Sequence, residues 1–169
     1  VVGLENTKVS VLADSGAGII STDFFMNSFP NWKADQSIPD WIVKLKNTDL
    51  FDLDITDLYV EVAKTYPKAR FAQYNSAFDA DQEFFYEAMG GDPKDWSPKM
   101  ITSLESIRSQ VDNFRYYLAT GPVHCIHPYG MMYQRNTSDT TYPSWLKQLV
   151  SGDELPNDVS CTGADCSDD

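Results

Sequence analysis

Asp79 and His124 stand far apart in the chain, yet each follows an apolar run and sits in a polar or turn-forming stretch. Together they have the side chains of an acid–base pair. A carboxylate that holds one nitrogen of an imidazole fixes its tautomer, and the other nitrogen can then deprotonate a hydroxyl nucleophile. Asp79 closes Asn75-Ser-Ala-Phe-Asp79 after the run Arg70-Phe-Ala-Gln-Tyr74, and His124 follows the run Phe114-Arg-Tyr-Tyr-Leu-Ala119 by way of Thr120-Gly-Pro-Val. In open parallel sheets, catalytic groups gather outside the carboxyl ends of strands. A plainer reading competes at each position. Asp79 precedes a helical pattern, where an Asp serves as N-cap, and His124 beside Cys125 could be a structural hydrogen-bond donor.

Ser15 is the candidate hydroxyl. Ala13-Asp14-Ser15-Gly16-Ala17 has the small-x-Ser-x-small spacing of a nucleophile elbow, and Ser15, Asp79 and His124 follow the chain order Ser, Asp, His. The competing reading makes Asp14, Ser15 and Gly16 a turn that shapes the floor of a substrate pocket. His124, Cys125 and His127 are also neighbours in sequence, but a zinc site needs three or four ligands at workable spacing. We read no metal site, and general acid–base chemistry at this pair requires no cofactor.

The elements that must position these groups alternate in type. Lys8 to Ala13 reads as a strand ending in the small-residue turn Asp14 to Gly18. Residues Thr22 to about Leu50 are aromatic and irregular, broken by Pro30 and Pro39, and suit short helices lining a pocket or cap. Asp54 to Tyr66 reads as a helix with Ile55, Leu58, Tyr59, Val62 and Ala63 on one face and Pro67 as its stop. A buried strand is expected over Arg70–Tyr74, a helix over Ala80–Met89 ended by Gly90-Gly91, and a helix opened by Ser97-Pro98 and running to about Asp112. Phe114–Ala119 is the third strand and Pro143–Val150 the last helix. Strands alternating with helices imply an α/β fold whose mainly parallel sheet is flanked by helices. Phe24-Phe25, Phe84-Phe85-Tyr86 and Tyr116-Tyr117 are expected to be mostly core, with Phe24, Phe25, Trp32, Trp41 and Met131 as candidates for an acyl or sugar pocket.

The formal net charge of -12 over 169 residues argues against nucleic acid and against an anionic membrane surface. No apolar run approaches the roughly 20 residues of a membrane span. Asp153, Glu154, Asp158, Asp165, Asp168 and Asp169 crowd the end of the chain, which reads as a solvated acidic tail over residues 153–169. Cys161 and Cys166 are spaced to close a small disulfide ring, leaving Cys125 over. Cys125 has two alternatives, a partner in an upstream segment or one of the two tail cysteines. Asn136-Thr137-Ser138 is a glycosylation sequon in a polar stretch. Cysteine usage and sequon together suggest a secreted, extracellular protein. Val1-Val2-Gly3 does not read as an initiator sequence, so a processed chain or a fragment is expected.

Arg70-Phe-Ala-Gln-Tyr-Asn-Ser-Ala-Phe-Asp79-Ala-Asp-Gln82-Glu-Phe-Phe-Tyr, followed by Asn113-Phe-Arg-Tyr-Tyr-Leu-Ala-Thr-Gly-Pro-Val-His124-Cys-Ile, resembles the C-terminal half of the pectin acetylesterase family, which includes the Notum carboxylesterases. The Asp79 to Gln82 step, the His124-Cys125 step, Ala13-Asp14-Ser15-Gly16, and the closing pattern of Trp145, Leu146, Leu149, Gly152 and Val159-Ser-Cys161 carry the likeness. The resemblance implies that residues 1–152 form the C-terminal part of one α/β-hydrolase domain. It implies a secreted serine carboxylic ester hydrolase acting on O-acetyl or related acyl esters of a polysaccharide, with Asp79 and His124 as two members of its triad. The family's serine and oxyanion hole would lie upstream, in an N-terminal half on the same or a separate chain. The other class of function is an inactive relative serving as a structural or carbohydrate-binding component of an extracellular assembly.

Overall fold

In the computed structural model, residues 7–166 are described; Val1-Val2-Gly3, Asp168, Asp169 and the side chain of Asp165 lie outside them. The elements are β1 (Ser10–Asp14), α1 (Thr22–Trp32), α2 (Val43–Asn47), α3 (Ile55–Thr65), β2 (Arg70–Ser76), α4 (Ala80–Ala88), α5 (Pro93–Gln110), β3 (Phe114–Ala119), β4 (Asn136–Thr137), β5 (Thr140–Thr141), α6 (Tyr142–Ser151) and β6 (Val159–Ser160). Four strands form one sheet in the order β1-β2-β3-β6, and every pairing in it is parallel. The fold is therefore α/β, a parallel sheet flanked by helices.

A parallel sheet in this class buries both faces, and its strands carry two cores by simple alternation. Phe71, Phe114 and Leu118 point to one side, where Val60 and Ala63 of α3 and Trp96, Met100, Leu104 and Ile107 of α5 cover them. Ala72, Tyr74, Tyr117 and Ala119 point to the other, under Tyr142, Trp145 and Leu149 of α6. Tyr74 and Tyr117 stack at 5.9 Å, and Tyr142 meets both edge-on. The register Tyr74↔Tyr117 aligns the ends of β2 and β3, so the loops that follow them leave side by side.

Several elements differ from expectation for identifiable reasons. The strand β2 runs on through Asn75 and Ser76, which read as loop residues. Both are fully buried, because they pair with Leu118 and Ala119, and their polar side chains bond to Gln73 and to the Val123 carbonyl. The helix α5 starts at Pro93 rather than near Pro98, capped by the Asp92 side chain on the Lys94 N–H. Asp92-Pro93 is the same cap-plus-proline signal one turn earlier, and the fully buried Trp96 secures that extra turn. Pro30 lies inside α1, which ends two residues later at Trp32 and is followed by a C-cap, Lys33, in the left-handed region. On α3 the deepest residues are Val60 and Ala63, whereas Leu58 is exposed. Phe84 and Phe85, expected in the core, are 63% and 61% exposed, and only Tyr86 of that trio is buried.

The tail is not merely a solvated appendage. Asp158 bonds Arg108 at 2.8 Å and accepts from the Tyr116 N–H at 3.1 Å, which seats β6 against β3. Val159, Cys161 and Cys166 are buried, and Cys161–Cys166 is a disulfide. Cys125 is a free thiol, so the pairing with a tail cysteine is excluded. Asn136 is exposed on the small β4–β5 hairpin, open to modification. A chain ending at Gly152 would uncover the β3 edge and lose this buried cluster. Its expected destabilisation is about 3 kcal/mol or more by urea titration; an unchanged midpoint would show that the tail adds nothing to the core.

Candidate functional site

The ends of β1, β2 and β3 converge on one patch. The loop after β2 is laced to the loop after β3 by three backbone bonds, from the N–H groups of Ala77, Phe78 and Ala80 to the carbonyls of Ala119, Gly121 and Pro122. The Ser76 hydroxyl adds a fourth, to the Val123 carbonyl at 2.7 Å. These bonds hold Asp79 and His124 at fixed separation. His124 Nδ1 lies 2.9 Å from Asp79 Oδ2 and 3.1 Å from Oδ1.

Asp79 is fully buried. It also caps α4, as the plainer reading held: its Oδ1 accepts from the Gln82 N–H at 3.0 Å. Cap and partner of the imidazole are thus one side chain in two roles. Gln82 Nε2 bridges onward, donating to Asp79 Oδ2 at 3.2 Å and to the Ser15 carbonyl at 2.9 Å. With Nδ1 as the donor to this carboxylate, Nε2 is the basic nitrogen. It has no hydrogen-bond partner among the described residues, and the ring is 35% exposed.

Ser15 follows β1 in the left-handed region, with φ 57°. Such a conformation is uncommon for serine and is kept where surrounding bonds over-determine it. Here they do: its N–H donates to the Tyr74 carbonyl at 2.8 Å, its carbonyl takes Gln82, and its Oγ accepts from the Cys125 N–H at 2.8 Å. Gly16 is required beside it, because a Cβ there would stand 2.3 Å from Ala13 Cβ. Ser15, Gly16, Gln82, Phe85 and His124 line a cavity of about 310 Å³, joined by Ile19 and Ile20. Ser15 and His124 therefore share one cavity without a hydrogen bond between them.

Asp14, placed with the pocket from sequence, turns its carboxylate toward the His124 loop instead. Oδ1 accepts from the Ile126 N–H and Oδ2 from the His127 N–H, both at 3.0 Å. Oδ2 also lies 2.9 Å from His127 Nδ1, and the Tyr142 hydroxyl is 3.1 Å from His127 Nε2. Burial, with Asp14 next, pushes the Tyr142 phenol far up, so it remains a donor. His127 thus has both nitrogens committed to structure. This clamp was not read from the sequence, although an Asp at a strand end and a His three residues past His124 were its visible parts. Cys125 has a positive φ of 52°, and its thiol is pushed up by burial and then by Asp14, which keeps it protonated and a poor nucleophile.

Among the described residues, no cluster of three or more His, Cys, Asp or Glu side chains is disposed to hold a metal ion. No helix among them is long and apolar enough to cross a membrane. Neither a family model, nor a curated protein, nor a solved structure matches the chain. The chemistry of the site has to be argued from its geometry.

Asp14→Ala would strand two backbone N–H groups and one imidazole nitrogen. The expected cost is about 3 kcal/mol in chemical denaturation, together with faster amide exchange at Ile126 and His127. Wild-type exchange at those two amides would show that the loop does not depend on the clamp.

Proposed function

We propose that the chain contributes the acid and base of a serine carboxylic ester hydrolase that removes acyl groups, O-acetyl groups of an extracellular polysaccharide foremost. The observation that carries this reading is the buried Asp79 carboxylate on His124 Nδ1, with Nε2 unpartnered beside a cavity. In that arrangement His124 takes the proton from a serine hydroxyl as it attacks the ester carbonyl. It then returns the proton to the leaving alcohol. Asp79 holds the neutral tautomer and stabilises the imidazolium that forms. The resemblance of the Asp79–Gln82 and His124–Cys125 segments to pectin acetylesterases points the same way.

The nucleophile has two candidates. In the first, the serine comes from an N-terminal segment or partner chain, as the resemblance implies. The second is Ser15, favoured by its positive φ just after a strand and by its place in the same cavity. Against Ser15 stands the Cys125 N–H, which occupies its Oγ as acceptor. The disulfide is compatible with an extracellular location, which belongs to this reading.

A fluorophosphonate probe on the full-length protein discriminates among these. Labelling of a serine outside this chain supports the first candidate, and labelling of Ser15 selects the second. No labelling of folded protein removes the hydrolase reading in favour of a structural or carbohydrate-binding component. Asp79→Asn retains an oxygen to cap α4 but no longer enforces the tautomer. Turnover of a small acyl ester is expected to fall by about 10³-fold or more. His124→Ala should abolish turnover while the protein still folds, with a lowered melting temperature because Asp79 loses one of its partners. A collapse of folding in His124→Ala would assign the pair a structural role.

A further inference from the structure

We propose that the cavity of about 570 Å³ adjoining the His124 cavity is a second sugar subsite, which holds a ring of the polysaccharide next to the ring that carries the scissile ester. This assignment rests on the hydrolase reading above and locates the path of its substrate.

The two cavities have a wall in common. Gly18, Ile19 and Ile20, in the segment just after Ser15, line both of them. A polysaccharide that presents an ester to His124 has to continue past it, and the space across Gly18–Ile20 adjoins the reacting groups. Its volume lies within the range of about 300–1,000 Å³ found for small-molecule sites. Met26, Phe51, Lys99 and Thr102 of its lining are exposed, so the cavity opens to solvent, as a continuing chain requires.

Its lining is of two kinds, and a sugar ring needs both. The C–H faces of a pyranose pack on apolar and aromatic side chains, whereas the hydroxyls on its edge need hydrogen-bond partners. Phe25 and Met26 of α1, with Phe51 from the segment before α3, supply the apolar part. The polar part comes chiefly from α5. Lys99, Thr102, Ser103 and Ser106 are three or four residues apart and fall on one face of that helix.

Several of these polar groups have bonding capacity to spare. The Thr102 hydroxyl donates to the Pro98 carbonyl at 2.9 Å and so presents its lone pairs. The Ser106 hydroxyl accepts from Gln110 at 3.2 Å and keeps its proton to give. Asp54 uses Oδ1 to cap α3 at 2.9 Å, leaving Oδ2 open among the described residues. Lys99 has no ion pair among them. Donors and acceptors therefore line one cavity together with aromatic rings. The cavity of about 420 Å³ that also meets Gly18 and Ile20 lacks this mixture. Phe29, Leu45, Leu50 and Leu58 dominate it, with Ser37 and Asp54 as its polar side chains. A sugar ring there would leave most of its hydroxyls unbonded, at a cost for each.

The test assays the full-length protein on O-acetylated xylo-oligosaccharides and O-acetylated oligogalacturonides of one, two and four rings. The reference substrate is p-nitrophenyl acetate, which has no second ring. From one ring to four, kcat/KM is expected to rise at least about 10-fold in one or both series, because contacts to a remote ring contribute to transition-state stabilisation. Lys99→Met and Thr102→Trp, both at exposed positions, are expected to lower the ratio of kcat/KM on the four-ring substrate to that on p-nitrophenyl acetate by about 10-fold. The same ratio for the single ring should change little. A kcat/KM independent of ring number in both series, or a wild-type ratio in both variants, overturns the subsite while leaving the hydrolase reading in place. Failure to hydrolyse even p-nitrophenyl acetate removes the hydrolase reading itself, and the subsite with it.

Discussion

A carboxylate taken wholly out of water must have its lone pairs filled, and Asp79 is the place where this requirement organises the molecule. Its bonds come from two residues far apart in the chain: the backbone N–H and the side-chain amide of Gln82 on the first turn of α4, and the imidazole of His124. Through Gln82 the same carboxylate is connected to Ser15 at the end of β1. Each of the three strands that end at the site is therefore tied to one buried charge. The parallel sheet supplies the convergence, and Asp79 converts it into a defined geometry.

Asp14 repeats the arrangement on a smaller scale. It too is an acid at a strand end that satisfies backbone N–H groups and an imidazole. Yet its histidine is bonded at both nitrogens and Asp79's at only one. That difference separates a histidine that holds a loop in shape from one that can move a proton. Residue type alone does not distinguish them; the Tyr142 hydroxyl does.

Alternation of strand and helix was legible because apolar periodicity and punctuation agreed at β2, β3, α4 and α6. Asp79 and His124 could be singled out because both follow strands, and strand ends are where a parallel sheet presents side chains. What the sequence concealed was tertiary. Asn75 and Ser76 look like loop residues until β3 supplies their partners, and Ser97-Pro98 looks like a helix start until Trp96 is seen to be buried beneath an earlier turn. Phe84 and Phe85 look like core because aromatic residues usually are. Their exposure follows from the face that α4 turns outward. The fourth strand was hidden by its length, since two residues carry no periodicity, and β6 is held by tertiary contacts: its pairing with β3 and the bonds of Asp158 to Arg108 and Tyr116.

The disulfide ring has a mechanical meaning beyond closing a small loop. The Cys166 carbonyl accepts from the Gly121 N–H at 2.9 Å, three residues before His124. The Cys161–Cys166 bond makes the segment that carries this carbonyl a short splint anchored in the core beside β3. The loop bearing the imidazole therefore leans on a covalently braced strut, and its stiffness is borrowed from a part of the sequence that has no chemistry of its own.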